Sequence, residues 1–342
     1  MSASYAYDPL YLEHNRPGHV ERRERLERTV QVLQERALLD RLVRVEATPV
    51  AMDYLLEVHL RQYVEQAKQV SDTGGGNLDP DTYANSRTNE VALLAAGGML
   101  NLVEAILEGQ AENGFALVRP PGHHALPGRG MGFCIFNNIA IAAKYALKRK
   151  GLSRILIVDF DLHHGNSTND IFYDTDEVLY FSTHQYPYYP GTGHWDNVGR
   201  GLGEGFTANV PLPAGVGDDG YARIFDEVLY PIAERYHPQL ILVSAGYDAH
   251  WADPLGMMQL STTGYAYLTR TLKQMAEEFC NGRLAFTLEG GYDLDALAYS
   301  IAATIETLLG DDAIADPLGS SPRPSAPADD MILHIKGIHR LV

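Results

Sequence analysis

Five short segments of this chain are almost entirely apolar, and their hydrophobic positions run continuously instead of alternating with polar ones. A continuous apolar run of about four to eight residues is typical of a strand buried on both faces, as in a parallel sheet. Between these runs, apolar residues recur with the 3.6-residue spacing of an amphipathic helix. The predicted strands are 114–118, 154–158, 178–181, 240–243 and 284–288, and the predicted helices are approximately 21–39, 87–109, 135–150, 220–236, 263–280 and 294–309.

Strands and helices alternate along the chain, so we predict one α/β domain with a mainly parallel, doubly wound sheet and helices on both faces. We assign this domain to residues 1–310 and expect a loop at residues 71–77, which contain three consecutive glycines. Residues 311–330 are rich in Pro, Ser, Ala and Asp, which predicts a linker-like stretch. The apolar tail at 331–342 is expected to dock on the domain or on a second subunit.

The overall charge changes which ligands are expected. The chain has 342 residues and a formal net charge of −17. Such a charge argues against binding nucleic acid through its phosphates, because that requires a basic surface. It favours cationic substrates such as basic peptides or polyamines.

Cysteine usage and hydropathy indicate a compartment. The chain contains two cysteines, Cys134 and Cys280, which is too few for a disulfide framework and favours a reducing environment. The first residues lack the basic region and apolar core of an export signal, and no uninterrupted apolar run is long enough to span a bilayer. We therefore expect a cytoplasmic protein without a membrane segment; the sequence leaves its oligomeric state open.

Four of the predicted strands lead directly into polar clusters. In open α/β sheets, ligands bind beyond the carboxyl ends of the strands, so clusters that are far apart in sequence are expected to meet at one site. The clusters are Arg119-Pro-Pro-Gly-His-His124, Asp159-Phe-Asp-Leu-His-His164, Ser244-Ala-Gly-Tyr-Asp248 and Glu289-Gly-Gly-Tyr292.

Asp161 and His163 are candidate metal ligands. They are separated by one residue, and in an extended segment such residues share a face, so both can reach one cation. Asp248 is the best third ligand, because Gly246 permits a tight exit from its strand. Three protein ligands leave one position open for water, as a catalytic zinc requires. The alternative is a simple salt-bridged pair of Asp161 and His163, whereas a dinuclear manganese site would need more carboxylates.

His123 and His124 follow a rigid turn that contains two prolines and a glycine. Beside a metal site, two imidazoles can supply a general base and a second proton carrier. Asp159 and Asn166 are available to orient them, and because only a carboxylate raises imidazole basicity, the two histidines should differ in pKa. Alternatively, they are histidines at the edge of the core that bond to backbone carbonyls.

Three aromatic residues are further candidates. Tyr292 follows two glycines, and its hydroxyl could donate to the oxyanion that forms when water attacks a carbonyl. Phe133 and Tyr189 could form apolar walls around a slender substrate. For all three, an ordinary place in or near the core is the alternative.

With these motifs assembled, the chain resembles the histone deacetylase superfamily over roughly residues 5–310. Asn166 and the segment 19–25 are similar to the class II branch, and the family's catalytic tyrosine is present. The motifs stand in family order: Arg-Pro-Pro-Gly-His-His-Ala, Gly-Phe-Cys-Ile-Phe-Asn-Asn, Asp-Phe-Asp-Leu-His-His-Gly-Asn, Pro-Gly-Thr-Gly, Ala-Gly-Tyr-Asp and Leu-Glu-Gly-Gly-Tyr-Asp.

The resemblance implies an arginase-deacetylase fold and a role for each matching residue. It implies one catalytic zinc on Asp161, His163 and Asp248, with His124 as general base, His123 as its electrostatic partner and Tyr292 as oxyanion donor. It further implies an acyl-lysine tunnel lined by Gly132, Phe133, Tyr189 and Leu255, a rim at Asp81 or Thr82, and Arg25 near an internal acetate exit. One or two structural potassium ions are implied as well, one at Asp159, Asp161, His163, Ser182 and Thr183, the other at Phe172, Thr175, Val178 and Phe206.

The expected reaction is hydrolysis of an amide, in which an acyl-lysine or small N-acetylated amine yields acetate and a free amine. An acetylpolyamine amidohydrolase would use the same chemistry with a different rim. A weakly active protein that binds acylated ligands is the alternative from another functional class, and the complete set of site residues argues against it. A ureohydrolase of the arginase type lacks its extra carboxylates here.

Overall fold

The computed structural model describes residues 2–341 and contains one eight-stranded sheet in which every pairing is parallel. The strand order is β2-β1-β5-β10-β9-β6-β7-β8, and a separate hairpin is formed by β3 and β4. The predicted single α/β domain with a parallel sheet is therefore confirmed. The strands are β1 Ala3–Ala6, β2 Val43–Val45, β3 Gly75–Asp79, β4 Thr82–Asn85, β5 Asn113–Ala116, β6 Ile155–Asp159, β7 Val178–Gln185, β8 Thr207–Leu212, β9 Leu240–Ala245 and β10 Leu284–Leu288.

Helices cover both faces of the sheet, and all six predicted helices are present with boundaries shifted by a few residues. The predicted helix 220–236 is interrupted by one π-helical turn, Phe225–Leu229. The helices are α1 Glu24–Glu35, α2 Met52–Leu55, α3 Arg61–Asp72, α4 Thr88–Leu107, α5 Asn138–Lys150, α6 Asn166–Ile171, α7 Asp218–Ile224, α8 Tyr230–Tyr236, α9 Thr262–Cys280, α10 Leu294–Leu309 and α11 Asp329–His339.

Strands β1, β2 and β8 were not predicted. Strands β1 and β2 have four and three residues, and β2 is largely exposed, so neither shows a continuous apolar run. Strand β8 contains Asn209 and Pro211, which interrupt the run of apolar residues that would predict a strand. A proline is tolerated there because β8 is an edge strand, with one side free of ladder hydrogen bonds.

The prediction of a loop over residues 71–77 was wrong for most of that segment. Helix α3 continues to Asp72, and β3 begins at Gly75, which pairs with Asn85 of β4. A side chain on Gly75 would place a carbon 2.6 Å from the carbonyl oxygen of Ala84. The glycines therefore allow close antiparallel pairing, which composition alone cannot distinguish from a loop.

Helix α4 is long and apolar enough to cross a membrane by length and composition, with a mean hydropathy of 1.6 over an 18-residue window. Within the protein, 72% of that window is buried. The helix packs against α5 and the strands β1 and β5, which is the position of a core helix in an α/β domain.

The segment after residue 310 lies against the domain. The backbone N–H of Ala326 donates to the carbonyl of Gly215, and the indole N–H of Trp251 donates to the carbonyl of Gly319. Composition predicted a linker-like stretch, but these bonds tie it to the surface. Helix α11 then buries Ile332 and Ile335 and packs against β8, so the tail covers the edge strand of its own sheet.

Candidate active site

The carboxyl ends of β6 and β9 bring Asp161, His163 and Asp248 together, although Asp248 is far away in sequence. One ligand atom of each lies within 4.8 Å of the others, and Nδ1 of His163 is 3.2 Å from Oδ1 of Asp161 and 3.1 Å from Oδ2 of Asp248. A side chain on Gly246 or Gly290 would place a carbon 2.0 Å or 2.2 Å from these carboxylate oxygens. The backbone thus packs tightly around the carboxylates of Asp161 and Asp248.

Two buried carboxylates flank the imidazole of His163 in this cluster. Burial opposes a charged imidazole, but the hydrogen bonds to Asp161 and Asp248 outweigh it and raise the pKa of His163 to about 10. Two carboxylates and one imidazole form a donor set that suits zinc, and the residues present fit such an ion.

His123 and His124 lie beside this cluster with their ring centroids 4.0 Å apart, and each has a different partner. Nδ1 of His123 is 3.1 Å from Oδ2 of Asp159, and Nδ1 of His124 is 2.8 Å from Oδ1 of Asn166. An amide oxygen only accepts, so Nδ1 of His124 carries the hydrogen, which leaves Nε2 as an acceptor when the ring is neutral.

The two histidines differ in pKa, as the partners expected from the sequence require. Burial favours neutral rings in both cases. For His123, the carboxylates of Asp159 and Asp161 outweigh burial and raise the pKa to about 10. For His124, burial and the positive charges of His123 and His163 hold the pKa well below its ordinary value.

Tyr292 faces the same site from the end of β10. Its ring packs edge-on against Phe133 with centroids 5.8 Å apart, and the guanidinium carbon of Arg25 lies 5.0 Å from its ring centroid. Its backbone N–H donates to Oδ2 of Asp253 at 2.6 Å. Burial raises the pKa of the Tyr292 phenol well above its ordinary value, so the hydroxyl keeps its proton and can donate it in a hydrogen bond.

One narrow cavity of about 90 Å³ is lined by His123, His124, His163 and Tyr292. A larger cavity of about 720 Å³ lies near the amino ends of β6 and β7 and contains none of them. The narrow cavity is lined by Asp81, Pro121, His123, His124, Gly132, Phe133, His163, Tyr189, Leu255, Gly290 and Tyr292.

The predicted tunnel residues Gly132, Phe133, Tyr189 and Leu255 all lie on this cavity. The two rim candidates, Asp81 and Thr82, have different positions relative to the cavity. Asp81 lines the cavity, whereas Thr82 is fully buried and its hydroxyl accepts a hydrogen bond from the backbone N–H of Phe133 at 3.1 Å. Thr82 therefore supports a tunnel wall from behind.

The residues implied for potassium lie in two places. Ser182 is paired with Asp159 across β6 and β7, one residue before Thr183. The first set thus lies at the ends of these two strands and shares Asp161 and His163 with the candidate zinc site. The second set, Phe172, Thr175, Val178 and Phe206, lies near the amino end of β7, where the carbonyl of Phe206 already accepts the N–H of Tyr180. Both potassium sites stay predictions.

A second group of candidate ligands consists of His123, Cys134 and Glu289, whose atoms also lie within 4.8 Å of one another. The Glu289 carboxylate already accepts hydrogen bonds from the backbone N–H groups of Gly122 and His123. Burial raises the pKa of the Cys134 thiol well above its ordinary value, which disfavours the thiolate that binds metals. The chemistry of this group therefore does not favour a metal.

The sequence pattern did not predict a buried ionic network that lies behind the site. Glu21 accepts hydrogen bonds from the guanidinium groups of Arg25 and Arg119, and all three side chains are fully buried. Arg25 in turn donates to the carbonyl of Gly291 at 2.6 Å. A charged residue on a predicted amphipathic helix gave no signal of burial, and only pairing across distant segments explains it.

Comparison with known proteins gives consistent results. The family profile described as the histone deacetylase domain matches residues 19–308. The chain is 45% identical over 323 residues to a protein of Archaeoglobus fulgidus named "Probable deacetylase", covering 93% of this chain and 89% of the relative. It is 42% identical over 307 residues to the polyamine deacetylase HDAC10 of Homo sapiens, covering 86% of this chain and 45% of that protein. The solved structure of the HDA15 HD domain is similar with a TM-score of 0.91 and 36% identity, over 99% of this chain and 94% of that chain.

Proposed function

The chain belongs to the histone deacetylase family, and from this premise we propose that it is a zinc-dependent deacetylase that releases acetate from an acyl-lysine or a small N-acetylated amine. The observation that supports this proposal most strongly is the convergence of three groups on one narrow cavity. These are the candidate metal ligands around His163, the histidine pair, and the phenol of Tyr292.

Asp161, His163 and Asp248 would hold the zinc ion. When bound there, zinc would supply a Lewis acid that polarises the acyl carbonyl and makes water more acidic. The close approach of these donor atoms and the burial of both carboxylates support this assignment.

The histidine pair would move protons. His124 has its Nδ1 hydrogen fixed on Asn166, so its Nε2 accepts the proton of the attacking water. Oxygen from water then bonds to the acyl carbon, the carbon–nitrogen bond breaks, and the leaving amine takes a proton from a histidine. His123, with Nδ1 beside the carboxylate of Asp159, is the electrostatic partner and second proton carrier.

Tyr292 would donate a hydrogen bond to the oxyanion that develops on the acyl carbonyl. Its ring is held between Phe133 and Arg25 and its backbone by Asp253, so the hydroxyl is oriented before substrate binds. Phe133 and Tyr189 would enclose the aliphatic stem of the substrate, which matches a cavity of only about 90 Å³.

A reducing, cytoplasmic location stays a prediction, supported by the free cysteines Cys134 and Cys280.

An acetylated polyamine is the second candidate substrate. The net charge of −17 and the similarity to a polyamine deacetylase favour it. The apolar side chain of Leu255 on the cavity favours acyl-lysine or a neutral amide instead, because it offers no partner to an internal ammonium.

The test is to assay purified protein against acetyl-lysine peptides and acetylated polyamines, and to measure its zinc content alongside. We expect one catalytic zinc per chain and hydrolysis of acetyl-lysine peptides. Zinc-loaded, folded protein that hydrolyses neither class would contradict the proposal.

A further inference from the structure

The carboxylate of Glu289 joins the histidine turn to the end of two central strands. Glu289 directly follows β10, and its side chain is fully buried. Its Oε2 accepts hydrogen bonds from the backbone N–H of Gly122 at 2.7 Å and of His123 at 3.1 Å. Its Oε1 accepts a hydrogen bond from the hydroxyl of Ser244 on β9 at 3.1 Å. Both oxygens are therefore occupied by groups from other segments.

The main chain of Glu289 is held as firmly as its side chain. Its N–H donates to the carbonyl of Ala245 at 3.0 Å, and its carbonyl accepts from Nη2 of Arg25 at 2.6 Å. Tyr292 follows three residues later. Glu289 thus has fixed bonds to the turn that presents the histidines and lies on the segment that presents the phenol.

We propose that Glu289 is a positioning residue that sets the distance between the histidine pair and Tyr292. The inference rests on the proposed deacetylase function, in which His124 and Tyr292 act on one acyl group. A catalytic group must be held within about 0.5 Å of its productive place, and a shift of about 1 Å can cost about 100-fold in rate. The hydrogen bonds to Gly122 and His123 are a direct tie between these two parts of the site.

The hydrogen bonds of the Glu289 carboxylate predict which substitutions of this residue are tolerated. In Glu289→Gln, the amide oxygen can accept both backbone N–H groups while the NH₂ donates to Ser244, so the geometry is kept. Glutamine has the same length and shape as glutamate, and burial, which raises the pKa of Glu289 to about 7, does not penalise a neutral amide. In Glu289→Ala, the two backbone N–H groups stay buried without an acceptor, and the turn is free to move.

The experiment compares these two variants in zinc-loaded enzyme with an acetyl-lysine peptide. We expect Glu289→Ala to lower kcat by about 10- to 100-fold with KM changed by less than about threefold, and Glu289→Gln to recover most of kcat. Hydrogen exchange of the segment 119–126 is measured in parallel. Protection of the Gly122 and His123 amides should fall in the alanine variant and persist in the glutamine variant.

Two further variants keep the test decisive. Ser244→Ala removes the other partner of the same carboxylate but leaves the bonds to the histidine turn, so its exchange protection at Gly122 should match the unmodified protein. If Glu289→Ala fails to fold, Glu289→Asp replaces it, because its shorter side chain withdraws the carboxylate from the turn.

Either of two outcomes overturns the inference: an unchanged kcat in folded Glu289→Ala, or a loss in Glu289→Gln as large as in Glu289→Ala. The second outcome would assign the charge, and not the position, as the contribution of Glu289. Failure of the proposed function looks different, since the unmodified enzyme would hydrolyse no acetylated amine. The exchange data would still decide whether Glu289 holds the turn.

Discussion

The carboxylate of Asp253 accepts a hydrogen bond from the backbone N–H of Tyr292 at 2.6 Å. The same carboxylate accepts one from the backbone N–H of Leu255 at 2.9 Å. One buried acid therefore fixes the segment that carries the phenol and the loop that carries a residue of the cavity wall. Burial and the nearby Asp248 raise the pKa of Asp253 to about 7, which is the electrostatic cost of placing it there.

The first prediction concerns the hydroxyl that this arrangement orients. Tyr292→Phe keeps the ring contacts with Phe133 and Arg25 and removes only the donor. We expect kcat to fall by about 10²–10³ with a small effect on KM, because the hydroxyl acts mainly in the transition state. Tyr267→Phe, which removes a surface hydroxyl bonded to Asp226, serves as the control. An unchanged kcat in Tyr292→Phe would exclude the phenol from the mechanism.

The second prediction concerns metal binding. Asp248→Asn keeps the acceptor for the N–H of Leu162 but removes a buried charge from the ligand cluster. Unmodified protein should gain about 2.7 kcal/mol of stability when zinc is present at 100 times its Kd, which raises Tm. The variant should be folded without metal and gain much less from zinc. Asp174→Asn, at an exposed ion pair with Arg200, is the control. Full zinc stoichiometry in Asp248→Asn would refute the ligand assignment.

The sequence predicted the parts of the fold that have a strong local signal. The continuous apolar runs of β6, β9 and β10 and the periodicity of α9 and α10 were correctly interpreted, because burial on both faces or on one stripe leaves a direct mark in hydropathy. The four polar clusters lie together as predicted, because the carboxyl ends of parallel strands are at one edge of the sheet. The positions of Asp161, His163 and Asp248 follow from this rule.

What the sequence did not predict depends on contacts between distant segments. Glu21 and Asp253 are charged residues in ordinary local surroundings, and nothing nearby shows that each is buried against partners elsewhere in the chain. Glu289 belongs to a predicted polar cluster, but its hydrogen bonds to the histidine turn and to β9 were not predicted. The hairpin at Gly75 was missed because glycines without side chains give no hydrophobic pattern. Such features are determined by tertiary packing, which local sequence does not encode on its own.

The third prediction concerns acid sensitivity far from the metal ligands. His59 is buried, with Nδ1 donating to the carbonyl of Leu126 at 3.1 Å and Nε2 accepting the backbone N–H of Asn137 at 2.9 Å. A second proton would destroy the latter bond. Burial accordingly lowers the pKa of His59 to about 4.

The unfolded chain binds this proton first, at its ordinary pKa of about 6.5, so stability is complete above that pH and declines as the pH falls towards 4. At about 1.4 kcal/mol per pKa unit, the loss is about 3 kcal/mol. His59→Phe should be less stable at neutral pH but show a flatter pH dependence between 6.5 and 4. Urea unfolding of chelator-treated proteins measures both slopes, and equal slopes would disprove the assignment to His59.

The last prediction concerns substrate choice at the tunnel wall. Leu255 lines the cavity, and its backbone is held by Asp253 and by the hydroxyl of Tyr188, which donates to the carbonyl of Leu255 at 2.8 Å. An apolar side chain in this fixed place suits the aliphatic stem of an acyl-lysine. It offers nothing to the internal ammonium of an acetylated polyamine, so we expect a preference for acyl-lysine or neutral amides.

Leu255→Glu should reverse that preference. A carboxylate there could pair with the polyamine ammonium in a partly dehydrated cavity, a charge-assisted contact of about 1.5–3 kcal/mol. The ratio of kcat/KM values should shift towards acetylated polyamines by about tenfold or more, since 1.4 kcal/mol corresponds to one decade. Met257→Glu is the matched control, because it adds the same charge two residues away on an exposed side chain. An equal shift in both variants would mean that general attraction to an already acidic surface, and not a contact at residue 255, selects the substrate. If the unmodified enzyme strongly prefers acetylspermidine to acetyl-lysine peptides, the argument from Leu255 is wrong, while the proposed amide hydrolysis stands.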